Sequence, residues 1–256
     1  MLLRRVMEHV KTQNWTAVFI DFIIVVVGVF IGIQVSNWND ENGRLAKEQA
    51  YLVLIHEELV QNSKTTDNLL NYYSTVTEAG ERALLYLEGN TQCQATCEGL
   101  LIDFFHASQL WAITLDRTAF DEAVKLSFPT NSALREELFT TYDLINAFGM
   151  LNQDSPPFRE AVRGYFNPDA ARILWTGCWE VDVDAVLETL TRDCESSLVA
   201  IDAASMLRNI RADKALAQML RFWIGQNITA MANYPVLIER TQKTADMVLS
   251  EITTSS

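Results

Sequence analysis

Four cysteines are the residues of this chain whose spacing could support either redox or metal chemistry. They are Cys93, Cys97, Cys178 and Cys194. The spacings C-x3-C and C-x15-C differ from the paired C-x2-C knuckles of zinc sites, so disulfides are favoured and a four-thiolate zinc site is the alternative. Three pairings are open, and we favour Cys93 with Cys97 and Cys178 with Cys194. The first pair closes a small polar loop and the second closes a loop the length of a helix.

Histidines are too few and too poorly placed for the common catalytic arrangements. His9 lies in the first residues of the chain, and His56 begins HEELV, which lacks the second histidine of the H-E-x-x-H zinc motif. His106 stands alone in the apolar stretch FFHAS, a setting typical of a hydrogen-bonded core residue. No nucleophile elbow, phosphate loop or dinucleotide-binding turn occurs. We therefore predict that the chain is not an enzyme and holds neither a cofactor nor a metal.

The densest polar cluster occurs at the start of a predicted helix. It comprises Asp116, Arg117, Thr118, Asp121 and Glu122. Acidic residues in a first helical turn complement the helix dipole, and an arginine among them can form ion pairs. Helix capping therefore accounts for the cluster, with an anion bound by Arg117 as the functional alternative.

All of these residues except His9 follow one long apolar stretch, residues 17–35. As a helix it would be about 28 Å long, close to the thickness of a bilayer core. Trp15 and Trp38 flank it and are predicted to lie at the two membrane interfaces. We expect a transmembrane helix over residues 15–38, with a cleaved signal peptide as the alternative.

Charges on either side of this helix predict its orientation. The helix is preceded by the basic residues Arg4, Arg5 and Lys11 and followed by the acidic residues Asp40 and Glu41. Short basic flanks of membrane helices stay in the cytoplasm. Residues 1–14 would be a cytoplasmic stub, and residues 39–256 would form a periplasmic domain anchored in a bacterial inner membrane. All four cysteines would then lie in an oxidising compartment.

One face of the predicted membrane helix carries small and polar residues. Gly28, Gly32 and Ser36 are spaced four apart, and Asp21 lies about two turns before Gly28. Small residues at this spacing let two membrane helices approach closely. We predict a helix contact here, either with a second copy in a homodimer or with another membrane subunit.

The charge of the remaining residues excludes one class of partner. Beyond the anchor, 31 Asp and Glu face 17 Lys and Arg, and no basic run exceeds two residues. Binding to phosphate backbones needs clustered cations. We therefore predict that the chain has no nucleic-acid partner. We expect the lipid bilayer to surround the anchor alone.

Hydrophobic spacing predicts an all-α fold. Apolar residues recur every three or four positions over residues 45–87 and 214–252, which predicts two long helices packed antiparallel, with short helices between them. Pro235 should kink or split the second long helix. Residues 182–192 are a further helical candidate, and residues 179–183 are the best strand candidate.

Asn62 and Thr66 interrupt the apolar face of the first long helix. This polar layer could fix register against a partner in the bundle, although a solvated gap is the simpler interpretation.

The stretch VVVGVFIGIQVSNWN resembles the start of an uncharacterised family of bacterial single-pass membrane proteins, a domain-of-unknown-function family. The segments RTAFDE, ALREEL and QNITAMANY resemble family patterns more loosely. The resemblance implies an envelope location and a helical ectodomain, and it transfers no catalytic residue.

Taken together, these patterns favour a membrane-anchored interaction or scaffold protein that belongs to a larger assembly. A ligand-sensing ectodomain that signals through a partner, or an unrecognised enzyme, is the alternative.

Overall fold

The computed structural model describes residues 15–93, 97–149, 153–183 and 187–254, without the side chains of residues 15–18 and 149. The predicted cytoplasmic stub, residues 1–14, and the side chain of Trp15 lie outside the described residues. The chain divides into two compact units, Met1–Ala50 and Tyr51–Ser256.

The first unit contains the apolar part of a long helix, α1, which begins at Trp15 and ends at Leu87. Every side chain from Phe19 to Gly43 is exposed, including the large apolar ones. Within the described ranges, α1 is the one helix long and apolar enough to cross a membrane. An exposed surface of this kind is stable in lipid and costly in water.

The second unit is built on the remainder of α1 and a C-terminal helix, α8 (Ala215–Thr254). Leu52 and Leu59 of α1 share one buried cluster with Leu237 and Val248 of α8. Further along α1, Tyr73 shares a second cluster with Leu220 and Trp223, earlier residues of α8. The two helices therefore run antiparallel, which confirms the prediction from their apolar spacing.

Short helices fill the space between these two long ones, as predicted. They are α2 (Cys97–Ala107), α3 (Thr118–Lys125), α4 (Ser132–Gly149), α5 (Pro157–Arg163), α6 (Pro168–Gly177) and α7 (Ala203–Ala212). The side chains of Asn131, Asn167 and Asp202 accept hydrogen bonds from backbone N–H groups in the first turns of α4, α6 and α7. Local capping therefore sets where these three helices begin.

Pro235 does not split α8, which is helical on both sides of it. Proline inside a helix costs about 3 kcal/mol because it lacks an N–H donor. Here Pro235 is exposed, whereas Tyr234 and Leu237 beside it are buried. Burial of these neighbours holds both halves of the helix against the core and offsets that cost.

The helix predicted over residues 182–192 is wrong. Strands β1 (Trp179–Asp182) and β2 (Leu187–Leu190) form an antiparallel hairpin there, with Trp179 opposite Leu190. The Cα atoms of Cys178 and Cys194 are 5.2 Å apart. A helix of eleven residues would be about 16 Å long, so a hairpin returns the chain to its starting point more directly. A 3₁₀ turn, Glu195–Leu198, follows.

Candidate functional site

The four cysteines form two disulfides, Cys93 with Cys97 and Cys178 with Cys194. This is the pairing that the loop lengths favoured. Each sulfur is therefore bonded within its own pair, and no free thiol is left for a four-thiolate zinc site. Two disulfides indicate folding in an oxidising compartment.

His106 is a core residue rather than an exposed acid or base. Its side chain is buried in α2, and its Nε2 donates to the carbonyl oxygen of Cys178 at 3.1 Å. Burial lowers the pKa of His106 from 6.5 to about 4, with the charge of Arg192 acting in the same direction and that of Asp103 opposing it. The imidazole is therefore neutral at pH 7, and it ties α2 to the base of the hairpin.

This depressed pKa makes stability depend on pH. In the unfolded chain His106 takes up a proton near pH 6.5, while the folded chain resists it until about pH 4. Neutral His106 therefore makes its full contribution to the free energy of unfolding above pH 6.5. We expect this free energy to fall by about 3 kcal/mol as the pH falls from 6.5 to 4. Denaturant titrations at several pH values should show that His106→Gln reduces this loss, because carboxylate titration is common to both proteins. His56→Gln is the control, and equal profiles for wild type and His106→Gln would contradict the assignment.

The polar cluster at the start of α3 is held by α1. Asn62 is buried and pairs with the backbone of Asp116, donating to its carbonyl oxygen at 2.6 Å and accepting from its N–H at 2.9 Å. Glu58 accepts from the N–H of Ala119 at 2.7 Å and from the hydroxyl of Tyr142. Burial raises the pKa of Glu58, which these hydrogen bonds oppose. The simpler interpretation of the polar layer, a solvated gap, is therefore wrong.

Arg117 is already engaged by a neighbour on its own helix. Its Nε and Nη2 donate to both carboxylate oxygens of Asp121 at 2.8 to 3.1 Å. Asp116 accepts from the N–H and the hydroxyl of Thr118, which lowers its pKa. Capping and local ion pairing thus account for this cluster, and an anion at Arg117 would have to displace Asp121.

A buried carboxylate that the sequence did not single out joins three elements. Asp103 of α2 accepts from Arg82 of α1 at 2.9 Å and from Arg192, just after β2, at 2.5 Å. Arg192 also donates to the carbonyl oxygen of Gly99. Both arginines bond to the same oxygen, Oδ1, of this nearly buried acid and link three elements through it, so we assign Asp103 a structural role.

Two further arginines, also missed from the sequence, meet the C-terminal end of α2. Arg163 donates through Nε to the hydroxyl of Ser108 at 2.9 Å and through Nη2 to Gln109 Oε1 at 3.0 Å. Arg159 donates to the carbonyl oxygen of Ser108 at 2.9 Å. Within the described ranges, neither guanidinium forms an ion pair with a carboxylate. Local sequence offered no signal for this arrangement, because Ser108 lies about fifty residues earlier.

A groove of about 240 Å³ lies between α1 and β2. Its lining residues are Asn68, Asn71, Tyr72, Thr75, Leu187, Glu188, Thr189 and Leu190. Glu188 Oε2 accepts from the hydroxyl of Tyr72 at 3.2 Å and from the indole N–H of Trp179 at 3.0 Å. These bonds attach the hairpin to α1, which is a sufficient role for the acid.

The stripe predicted on the membrane helix is exposed throughout. Asp21, Gly28, Gly32 and Ser36 are all exposed, as is the predicted interface residue Trp38. A Cβ atom built on Gly28 or Gly32 would meet nothing within 4 Å. Close approach of another helix along this line is therefore unobstructed.

The outward face of α8 is a second exposed apolar surface. No charged residue occurs between Arg221 and Glu239. Phe222, Ile228 and Val236 are exposed on this stretch. Exposed Gln226 and Thr229 lie among them, so this surface is uncharged and apolar only in part.

Comparison with known proteins adds no functional assignment to this geometry. The resemblance to an uncharacterised membrane family stays a prediction. No protein-family model, no curated protein sequence and no solved structure matches the chain.

Proposed function

We propose that this protein is a single-pass bacterial inner-membrane protein that acts as an interaction or scaffold subunit of a larger membrane assembly. In this topology residues 1–14 lie in the cytoplasm and residues 39–256 form a periplasmic helical domain. The basic residues before the anchor and the acidic residues after it favour this orientation. The two disulfides favour an extracytoplasmic domain.

The exposed stripe on the membrane helix carries this proposal. Lipid offers no hydrophobic drive for association, so contact between membrane helices depends on close packing and polar contacts. Gly28 and Gly32 supply an open surface for packing, and Ser36 extends it. Asp21 lies on the same face, and an acid facing lipid costs about 2 to 3 kcal/mol, which contact with a partner reduces. A second copy is the favoured partner, with a different membrane subunit as the alternative.

Two features of the described residues support an interaction role over catalysis. The sequence candidates His106, Asp116 and Arg117 are hydrogen-bonded or ion-paired within the fold, and so are the buried acids Glu58 and Asp103. The outward face of α8 offers an uncharged, partly apolar surface within a strongly acidic chain. Such a face is more typical of a surface that contacts a partner than of one that faces only solvent.

Replacing both glycines by isoleucine tests the proposal. In bacterial membranes that contain two differently tagged copies, we expect cross-linking and co-purification of the wild type, and loss of both in Gly28→Ile/Gly32→Ile. The added side chains meet open space within one chain, so each copy should still fold. A copy that co-purifies with another subunit instead of with itself would identify the alternative partner.

The matched control adds bulk at the same spacing on a different face. Val29→Phe/Ile33→Phe should associate as the wild type does, because neither residue lies on the glycine stripe. Unchanged association of the double-isoleucine protein would refute a contact at this stripe.

A further inference from the structure

The charge around Arg159 and Arg163 is only partly balanced by the described residues near them. Their neutral acceptors are the carbonyl and hydroxyl oxygens of Ser108 and the amide oxygen of Gln109. The C-terminus of α2, which ends at Ala107, contributes about half a negative charge. Glu188 lies near Arg159 and offsets part of its charge, so the two half-buried guanidinium groups retain a net positive charge, mainly at Arg163.

Such an excess is unusual because half-buried cations in proteins are generally paired. Burial, followed by the charge of Arg159, lowers the pKa of Arg163 to about 10. Glu188 is close enough to favour the charged form of Arg159, although the two do not form an ion pair. Among the described carboxylates, none lies close enough to Arg163 to raise its pKa.

Hydrogen-bond donors around this charge also lack acceptors in the described part of the chain. The Nη1 of Arg163 and the Nε and Nη2 of Arg159 donate to no described residue. Gln109 is 1% exposed, and its Nε2 is buried without a partner, although its Oε1 accepts from Arg163. A buried donor without a partner is destabilising, so an acceptor at this position would stabilise the site.

Aromatic rings hold one guanidinium in a fixed orientation. The Cζ atom of Arg163 lies 4.8 Å from the ring centroid of Trp175 and 5.7 Å from that of Phe105. Stacking orients the guanidinium plane, and Nη1, the one nitrogen of Arg163 without a described acceptor, is left to donate to an oxyanion. Trp175 is 37% exposed and both arginines are partly exposed, so solvent reaches the arginine side of this cluster.

We propose that Arg159, Arg163 and Gln109 form a binding site for a phosphate group. A phosphate dianion balances two guanidinium charges, whereas a carboxylate balances only one. The phosphate could be inorganic phosphate or the headgroup of a phospholipid, since the recognised chemistry is the same. This site is independent of the membrane-helix contact proposed above.

The test is a calorimetric titration of the full chain in a non-ionic detergent at constant ionic strength. Sodium phosphate is one probe, and soluble dioctanoyl phosphatidic acid is the other, with dioctanoylglycerol as its phosphate-free control. We expect one equivalent of phosphate or phosphatidic acid to bind and dioctanoylglycerol not to bind. Binding of both phosphate probes indicates a site for any phosphate group, and binding of phosphatidic acid alone assigns the site to lipid headgroups.

Substitutions decide whether this cluster is responsible. Arg163→Gln and Arg159→Gln should each raise the dissociation constant at least about tenfold, because each removes a charge-assisted bond. Arg172→Gln is the matched control, since Arg172 carries the same charge but is exposed and paired with Asp169. The dissociation constant of this variant for phosphate should differ from that of the wild type by less than about twofold. Far-UV circular dichroism checks that each variant folds. If Arg163→Gln does not fold, the dissociation constant of Arg159→Gln tests the proposal. Absence of binding by both phosphate probes, or unchanged binding by a folded arginine variant, would overturn the proposal.

Discussion

Replacing Trp223 by alanine is expected to lower the free energy of unfolding by about 3 to 5 kcal/mol. Trp223 is 1% exposed and lies between the two long helices, with its ring 6.3 Å from that of Tyr73. Its indole N–H donates to the carbonyl oxygen of Ala107 at 3.0 Å, so the substitution also leaves a buried acceptor unpaired. Guanidinium chloride titration in detergent, followed by far-UV circular dichroism, measures the change.

The adjacent residue supplies a matched control for this prediction. Phe222 lies on the same turn of α8 but is 62% exposed, so Phe222→Ala should change stability by less than about 0.5 kcal/mol. Trp223→Phe keeps most of the buried ring, so its loss in free energy of unfolding should lie between those of the two alanine variants. Equal effects of Trp223→Ala and Phe222→Ala would show that the α1 and α8 packing described above is wrong.

Removing the Cys178–Cys194 disulfide in Cys178→Ala/Cys194→Ala is also expected to have a large effect. The free energy of unfolding should fall by about 3 kcal/mol. The bond closes a loop of sequence separation 16 and joins the end of α6 to the segment after the hairpin. Cys178 also accepts, through its carbonyl oxygen, from His106 and from the N–H of Thr191. Opening the base of the hairpin therefore disturbs its attachment to α2.

The second disulfide is the control. Cys93 and Cys97 have a sequence separation of four, so loop-closure entropy predicts a loss about 1 kcal/mol smaller for Cys93→Ala/Cys97→Ala. Both cysteines of the longer loop are buried, which widens the difference. Denaturant titrations of the two double variants measure it, and a larger loss for the shorter loop would contradict the prediction.

The sequence by itself determined the features that depend on neighbours within one or two helical turns. Apolar spacing of three and four residues predicted the two long helices and their antiparallel packing, because burial of both stripes requires a partner. The capping hydrogen bonds of Asn131, Asn167 and Asp202 are equally local, since each joins residues three positions apart. Loop lengths favoured the disulfide pairing for a similarly local reason.

Only the tertiary structure decided what the isolated polar residues do. Asn62 binds the backbone of Asp116, fifty-four positions away, and Asp103 joins arginines that lie 21 and 89 positions from it. Residues 182–192 have the composition of a helix, yet the neighbouring disulfide favours a hairpin. Arg159 and Arg163 become an unbalanced pair of charges only because α5 packs against the end of α2. Short-range periodicity reports which face of a helix is buried, whereas the partner of a buried polar group depends on which distant segment reaches it.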